Sequence, residues 1–583
     1  LTAESRKILN RLRDIPDEEE SGWVNEGSFT YQDVLNGTVP IDISHAGGEL
    51  ADMERGLTEF LDGQRKIKRK DTRNRWNVLQ LRVQGFRRQM EAMVDAYVKW
   101  SIIQGDLGME AGPPVPLDDM VQKEYKVKVI DILSTYTIYV PMLTTDKYTA
   151  SCLVGQGLIP CSPWNPKLAV SIRVLELFRL ARLRCPALGV QSWIKTLSDL
   201  HGAAFKPYTA QQFTTCFDLY LEILNNIDDR VKKALGRDTK DWRLKNCCPA
   251  CTYKLEGEEK LIFDMLCTYD GNDSLKRILR KDKGVNEDGV ANRGGSERPD
   301  PRTAGAGGDY FLTREEVDRW SKERLAEQVK MPRSADPKKD SECRERWKNM
   351  SEELTARMWG IFDETGVFLA LCRHGFVLLV ADMVRSGELA KYGLAISNTM
   401  LDAFGPDLGQ GYDIGCDFET TIQNSPLGPK AAALNLKMLV GAFHGHGHNR
   451  RCQLDFLTTY VEGLGIEDLE GCERLFSKTN ALARSTRYAS AFHRKQSIKT
   501  YLAHVDTFDT YANLSTFLIN NYKQAIAILD TKEALDYAME QAGVTAETLA
   551  SRLEEEREYL DKLSKEPQEE TDQMEYYQQL VNL

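Results

Sequence analysis

No stretch of the 583-residue chain approaches the roughly 20 consecutive apolar residues a membrane helix needs. An integral membrane protein is therefore excluded, and no membrane partner is expected. Glycine motifs for nucleotides are missing too. There is no GxxxxGKS/T loop and no GxGxxG turn, so no nucleotide cofactor is expected. Cysteine is thin: 13 residues, an odd number scattered along the chain. That excludes a dense disulfide framework and points to a reducing compartment, cytosol or nucleus. Net positive charge is lacking, with 76 Lys and Arg against 87 Asp and Glu, or −11 overall. A simple basic DNA-coating protein is thereby disfavoured. The chain opens on Leu1 with no charged-then-apolar leader, so the expectation is a fragment whose targeting or DNA-binding start lies outside it.

What is present is ordinary in bulk and uneven in detail. Hydrophobic residues make up 42% and charged residues 28%, values of a soluble globular chain. At about 150 residues per domain the length implies three or four units. Charge is segregated. Residues 65–88 hold ten basic residues and one acid, Asp71, while 17–20 read DEEE and the tail after Glu547 is acidic. Arg65, Lys66, Lys68, Arg69, Lys70, Arg73 and Arg75 form a candidate DNA-backbone patch, against the alternative of a solvated helix face.

Hydrophobic patterning divides the chain into six regions. Residues 1–120 form an N-terminal region with the basic helical segment. Residues 121–245 begin with strand-like alternation at 125–131 and 135–140, then turn helical. A helix is expected to open at Asn165-Pro166, and 150–240 reads as all-helical. Residues 246–283 carry a cysteine knuckle and an apolar run, LIFDMLCTYDGN, read as a buried strand ending in a turn. Residues 284–358 are a linker with seven glycines in 284–308, then a charged helical stretch. Residues 359–505 alternate strands and helices: TGVFLALC and GFVLLVADM as a hairpin, a helix over 388–404, GYDIGCDF as a strand, KAAALNLKM as a helix and DLEGCERLFSKTNAL as a helix. Residues 506–583 are helical, and Leu549, Leu553, Leu560 and Leu563 suggest a short coiled coil or a plain amphipathic helix.

Counting 261–270 as the first strand, this order is that of an α/β ribonuclease-H-like catalytic core with long insertions, flanked by largely α-helical regions. Such a sheet carries acids on its first and fourth strands and on a late helix. Asp270, Asp413 and then Glu470 or Glu473 fall in that order. Carboxylates from separate elements can hold two divalent ions that stabilise the attacking and leaving oxygens of a phosphodiester. Glu470 and Glu473, three apart, share a helix face. Asp363 in FDETG is a rival acid. A second constellation is Cys and His: Cys247, Cys248 and Cys251 in CCPAC, Cys372 and His374 in CRH, and His444, His446, His448 and Cys452 in FHGHGHNRRC. Zinc takes four such ligands tetrahedrally. Cys372 and His374 with two ligands from 444–452 would close one structural site, leaving the Cys248–Cys251 knuckle without named partners. A catalytic zinc on the HGHGH segment is the lower-ranked alternative.

The runs CCPACTYKLEGEEKLIFDMLCTYDGNDSLKR, FDETGVFLALCRHG, YDIGC, FHGHGHNRRC and EGLGIEDLEGCERLFSKTNALARSTR, in that order, resemble the Kyakuja–Dileera–Zisupton (KDZ) DNA transposases of fungi. The resemblance spans roughly 120–510. It implies an Asp/Asp/Glu transposase cutting and joining transposon ends in double-stranded DNA, with Mg²⁺ or Mn²⁺ as catalytic ion. Asp270 in DGN is implied as the first acid and Asp413 in YDIGC as the second. The third is Glu470, with Glu473 the alternative, because the family's DGE reads Asp468-Leu469-Glu470 here. Asp363, before the family's TG, is either structural or a substitute for Asp270. Cys248, Cys251, Cys372, His374, His446, His448 and Cys452 are implied as structural Zn²⁺ ligands. A nuclear location and a homo-oligomer are expected. The alternative in another class is a domesticated or inactive copy that binds DNA or protein without cutting; less favoured is a zinc-dependent hydrolase.

Overall fold

The computed structural model describes residues 75–107, 121–143, 146–279, 300–321 and 361–563. The chain divides into two compact units, residues 1–79 and 80–583. Of the first, only the start of helix α1 (Arg75–Arg87) is described. The basic patch from Arg65 to Arg73 lies outside the described residues, as does the side chain of Arg75. So do most of the glycine-rich linker and the charged stretch after 321.

The second unit begins with a helical subassembly around a small sheet. After α2 (Met90–Leu107), strands β1 (Val121–Ile130) and β2 (Thr135–Leu143) form an antiparallel hairpin. Strands β3 (Leu158–Pro160) and β4 (Leu168–Ser171) complete the order β2-β1-β4-β3. Then come α3 (Ile172–Arg184), α4 (Val190–Leu200) and α5 (Pro207–Ala234). Region 150–240 is therefore not all-helical, and no helix opens at Asn165-Pro166. Leu168–Ser171 pairs with both β1 and β3 and is wholly buried, so ladder bonding wins over helix propensity there. The helix starts only where the Ser171 hydroxyl accepts the Val174 N–H. Phe178, Phe213 and Phe217 pack at the centre with ring centroids 4.9–6.4 Å apart.

The larger sheet is built from β5 (Met265–Asn272), β6 (Arg277–Ile278), β7 (Phe362–Cys372), β8 (Val377–Val384), β9 (Leu408–Gly411) and β10 (Lys437–Leu439). Its order is β8-β7-β5-β9-β10, with β6 continuing the β5 side of β7. Strand β7 runs antiparallel to both β5 and β8, while β9 is parallel to β5 and β10 to β9. Residues 367–372 of β7 are all buried because helices cover both faces. Phe368, Ala370 and Cys372 point to one core, with Tyr392, Ile396 and Met400 of α6 (Ala390–Phe404) and Phe418 of α7 (Gly415–Gln423). Val367, Leu369 and Leu371 point to the other. The α8 helix (Arg450–Phe456) precedes that second cover, which comes from Cys472, Leu475 and Phe476 of α9 (Gly471–Thr479) and Ile498 and Leu502 of α10 (Ala491–His504).

Two expectations in this region are corrected. GYDIGCDF is not a strand: β9 ends at Gly411 and α7 starts at Gly415, whose missing Cβ lets it lie against the Leu439 backbone. KAAALNLKM is split, its helix ending at Ala433 and Lys437–Leu439 joining the sheet. Beyond α10, α11 (Ala512–Leu529), α12 (Lys532–Ala542) and α13 (Ala546–Leu563) follow. The leucine-striped α13 returns to its own chain. Arg450 pairs with Glu556 at 2.7 Å and Arg451 with Asp561 at 2.7 Å. None of the described helices is long and apolar enough to cross a membrane.

Candidate active site

The parallel pairing of β5 with β9 brings two aspartates together. Thr268 stands opposite Gly411 in the register, and Asp270 and Asp413 each lie two residues further along. Both therefore emerge at the same end of neighbouring parallel strands, where sites in open α/β sheets form. Asp270 faces the side where α9 starts, and Gly471 of α9 lies over Thr268 and Leu371. Glu470 sits at the N-cap of that helix and Glu473 in its first turn. Anionic carboxylates are favoured at a helix N-terminus.

His444 joins two of these acids. Its Nδ1 lies 3.2 Å from Asp413 Oδ1 and 3.2 Å from Glu470 Oε2. The Glu470 Oε1 accepts the Phe443 N–H at 2.8 Å. Hydrogen bonding to Glu470 raises the proton affinity of His444. Against the cost of desolvation, His444 and the Phe443 N–H hold Glu470 below the usual carboxylate range. Asp413 goes the other way: desolvation, with repulsion from Glu470 and Glu473, pushes it up to about 6 despite His444.

Asp270 is only 8% exposed. Its Oδ1 accepts the N–H of Gly271 at 2.7 Å, and no cationic side chain pairs with it among the described residues. Burial, then repulsion from Asp413, Glu388 and Glu473, pushes its carboxyl up to about 9. Glu388 sits on the turn before α6. The residue as a whole is exposed, but its carboxyl end points inward against Gly271. Desolvation of that end and the charges of Asp273, Asp413 and Glu473 push it up to about 7. Glu388 was not singled out from sequence, because it reads there as the first residue of the helix over 388–404, which in fact starts at Ala390.

The loop entering α9 is strained. Leu469 has φ of 57°. A buried leucine in the left-handed region costs on the order of 1–2 kcal/mol. Packing holds it there, since Leu469 joins Phe263, Leu266 and Leu439 in a small core.

Asp363 is placed elsewhere. Its Oδ2 accepts Arg277 at 2.7 Å and its Oδ1 accepts Arg385 at 3.0 Å, so two arginines neutralise it.

The Cys and His residues form two clusters, grouped differently from the expectation. Cys372 and His374 meet Cys248 and Cys251, not the 444–452 segment. The donor atoms lie within 4.8 Å of one another, and His374 Nδ1 is 3.1 Å from Cys251 Sγ and 3.5 Å from Cys248 Sγ. Three thiols and one imidazole at this spacing suit a closed tetrahedral zinc site. Cys372 pairs with Cys267 across β7 and β5, three positions from Asp270, toward the far end of the sheet. The cluster thus clamps the β7–β8 hairpin to the short helix Pro249–Thr252.

The second cluster is Cys416, His448 and Cys452. His448 Nδ1 lies 3.5 Å from Cys416 Sγ and 3.3 Å from Cys452 Sγ. Its Nε2 lies 2.8 Å from the Asp413 carbonyl oxygen, the second contact that orients a ligating histidine. The Cys416 thiol is pulled down to about 5, chiefly by hydrogen bonding with Cys452. Both clusters are compatible with structural zinc. Cys416 was missed because it lay in a segment read as strand. His446 is exposed and belongs to neither cluster. The three histidines of HGHGH thus serve three environments and do not converge on one ion. A cleft of about 750 Å³ lined by Lys232, Arg237, Trp242, Asp309 and Asp402 includes none of the clustered acids.

A mixed α/β domain with an acid cluster at its strand ends and two Cys/His clusters is what the geometry defines. Residues 263–506 match the family model described as Kyakuja-Dileera-Zisupton transposase. That part of the chain is thus similar to a KDZ superfamily transposase domain. The matched span includes Asp270, Glu388, Asp413, Glu470 and Glu473, but not Cys248 and Cys251. No curated protein and no solved structure matches the chain. A transposase family implies DNA binding.

Proposed function

We propose that the chain cleaves phosphodiester bonds at transposon ends and joins the freed strands to target DNA, using Asp270, Asp413 and a glutamate of the α9 start. The observation that carries this reading is a cluster of carboxyls, Asp270, Asp413 and Glu470 turned inward with the exposed Glu473 beside them, whose only ion-pair partner among the described residues is His444. Such charge is costly unless protons or a metal neutralise it. The donors are all carboxylate oxygens, which suits Mg²⁺ or Mn²⁺ and not zinc. Two divalent ions bound there would stabilise charge on the attacking and leaving oxygens. The sheet order β8-β7-β5-β9-β10, with only β7 antiparallel to the first strand, supports a ribonuclease-H-like core.

In this scheme Asp270 and Asp413 face each other across β5 and β9. Glu470, tied to Asp413 through His444, is the first candidate for the third acid. Glu473, whose charge reaches Asp270, is the second. His444, with Nδ1 3.2 Å from Asp413 Oδ1 and from Glu470 Oε2, would keep that pair together when protonated. The basic segment 65–75 would meet the DNA backbone, and a nuclear location goes with that proposal.

The test is nicking of supercoiled DNA carrying transposon ends, with Mg²⁺, Mn²⁺ or EDTA. Metal-dependent cleavage that Asp270→Asn and Asp413→Asn both abolish is expected. Full activity in both variants, each folded, would reject these acids.

A further inference from the structure

Glu388 stands out because both its carboxylate oxygens touch residues adjacent to the aspartates. Gly271 directly follows Asp270. A Cβ there would collide with Glu388 Oε1, Cδ and Cγ, so the glutamate fills the space that the missing side chain leaves. Tyr412 directly precedes Asp413, and its hydroxyl reaches Glu388 Oε2 at 3.4 Å. One carboxylate thus lies across the ends of both strands that carry the aspartates.

The turn bearing it is fixed. Thr365 donates its hydroxyl to the Ser386 carbonyl, and the Ser386 and Tyr392 hydroxyls lie 2.7 Å apart. Arg385, with φ of 48°, reverses the chain ahead of it. Glu388 caps no helix, since the α6 N-cap is Leu389 and receives no side-chain bond. It pairs with no cation among the described residues, and its charged neighbours are Asp270, Asp273, Asp413 and Glu473. Asp270 beside it is more than nine-tenths buried, and its Oδ2 accepts no hydrogen bond among the described residues.

A carboxylate held against other carboxylates, with no cation paired to it among the described residues, destabilises the empty protein. It is useful only when a cation arrives. We infer that Glu388 is a further carboxylate ligand of the divalent-cation site, placed on the Asp270 side and opposite the His444–Glu470 pair. The inference rests on the reading of Asp270 and Asp413 as cation ligands.

Binding of Mn²⁺ to the full chain, followed by the electron paramagnetic resonance of the free ion, separates the two. Glu388→Gln keeps the shape and removes the charge. It should weaken Mn²⁺ binding by about tenfold or more, since even outer-shell losses cost 10–100-fold. Its melting temperature without divalent ion should equal or exceed that of the wild type, because repulsion is relieved. A lower melting temperature would make Glu388 a structural residue and overturn the inference. So would wild-type Mn²⁺ affinity in Glu388→Gln while Asp270→Asn and Asp413→Asn lose binding, and in that case the cation site itself stands. Undiminished binding in both aspartate variants would remove the site and the inference together.

Discussion

Without a divalent ion, the acid cluster should make the protein less stable as pH rises, and Asp270→Asn should remove most of that dependence. Burial pushes the Asp270 carboxyl from 3.8 up to about 9. Between those values the folded state keeps a proton that the unfolded state has released. Stability from this group is thus fully present below 3.8 and is lost progressively as pH climbs toward 9. One retained proton is worth about 1.36 kcal/mol per pH unit, so about 2.7 kcal/mol disappears between pH 6 and 8. For a cooperative core of this size that is about 5–10 °C in melting temperature. His444, whose proton affinity is raised mainly by Glu470, and Glu388 and Asp413, pushed up to about 7 and about 6, act in the same direction, whereas Cys416, pulled down to about 5, acts in the opposite one. The difference between wild type and Asp270→Asn cancels these shared contributions. The assay is thermal unfolding of both proteins from pH 6 to 8 in Mg²⁺-free buffer without chelator, which leaves structural zinc in place. Superimposable pH profiles would show that Asp270 holds no extra proton and would refute the burial argument.

Three further outcomes are expected. Cys372→Ser should lose one equivalent of zinc by elemental analysis and melt earlier, since it removes one of four clustered donors; unchanged zinc content would reject the Cys248–Cys251–Cys372–His374 grouping. Leu469→Gly should relieve about 1–2 kcal/mol of backbone cost yet lose about 2–5 kcal/mol of burial, so it should be destabilised overall by urea unfolding; a stabilised variant would mean that packing does not hold the strained loop. Glu470→Gln and Glu473→Gln should differ in DNA cleavage, the third acid falling by at least about a hundredfold and the other by much less; equal retention of activity by both would place the third acid elsewhere.

The sheet was legible where strands are apolar on both faces. Residues 367–372 and 377–381 carry unbroken apolar runs, and burial between two helical layers is the reason. Asp270 and Asp413 were singled out because the sequence reading ended a strand beside each; β5 in fact runs on to Asn272, and β9 stops at Gly411, two residues before Asp413. β9 was not, since Leu-Gly-Gln-Gly has no strand signal of its own. Its glycines serve close packing: a Cβ on Gly409 would strike Leu266, and one on Gly411 would crowd Leu469. Gln410 is buried there and accepts the Ser397 hydroxyl. Leu168–Ser171 was hidden for a related reason. Four apolar or small residues running straight into a helix carry no period that separates strand from helix. The metal groupings needed the fold as well. Knuckle spacing picks out Cys248 and Cys251, but only the register of β7 against β5 puts Cys372 and His374 beside them. Glu388 is the clearest case, because its meaning comes entirely from Gly271 and Tyr412, which are more than 100 and more than 20 residues away in sequence.

The most direct test of the cation site is anomalous diffraction from crystals of the protein soaked in Mn²⁺. A manganese peak between the Asp270 and Asp413 carboxylates, with His444 moved off Asp413 or still bridging to Glu470, is the expected result. Saturating Mn²⁺ with no peak among Asp270, Glu388, Asp413, Glu470 and Glu473 would contradict a metal-dependent nuclease built on these acids.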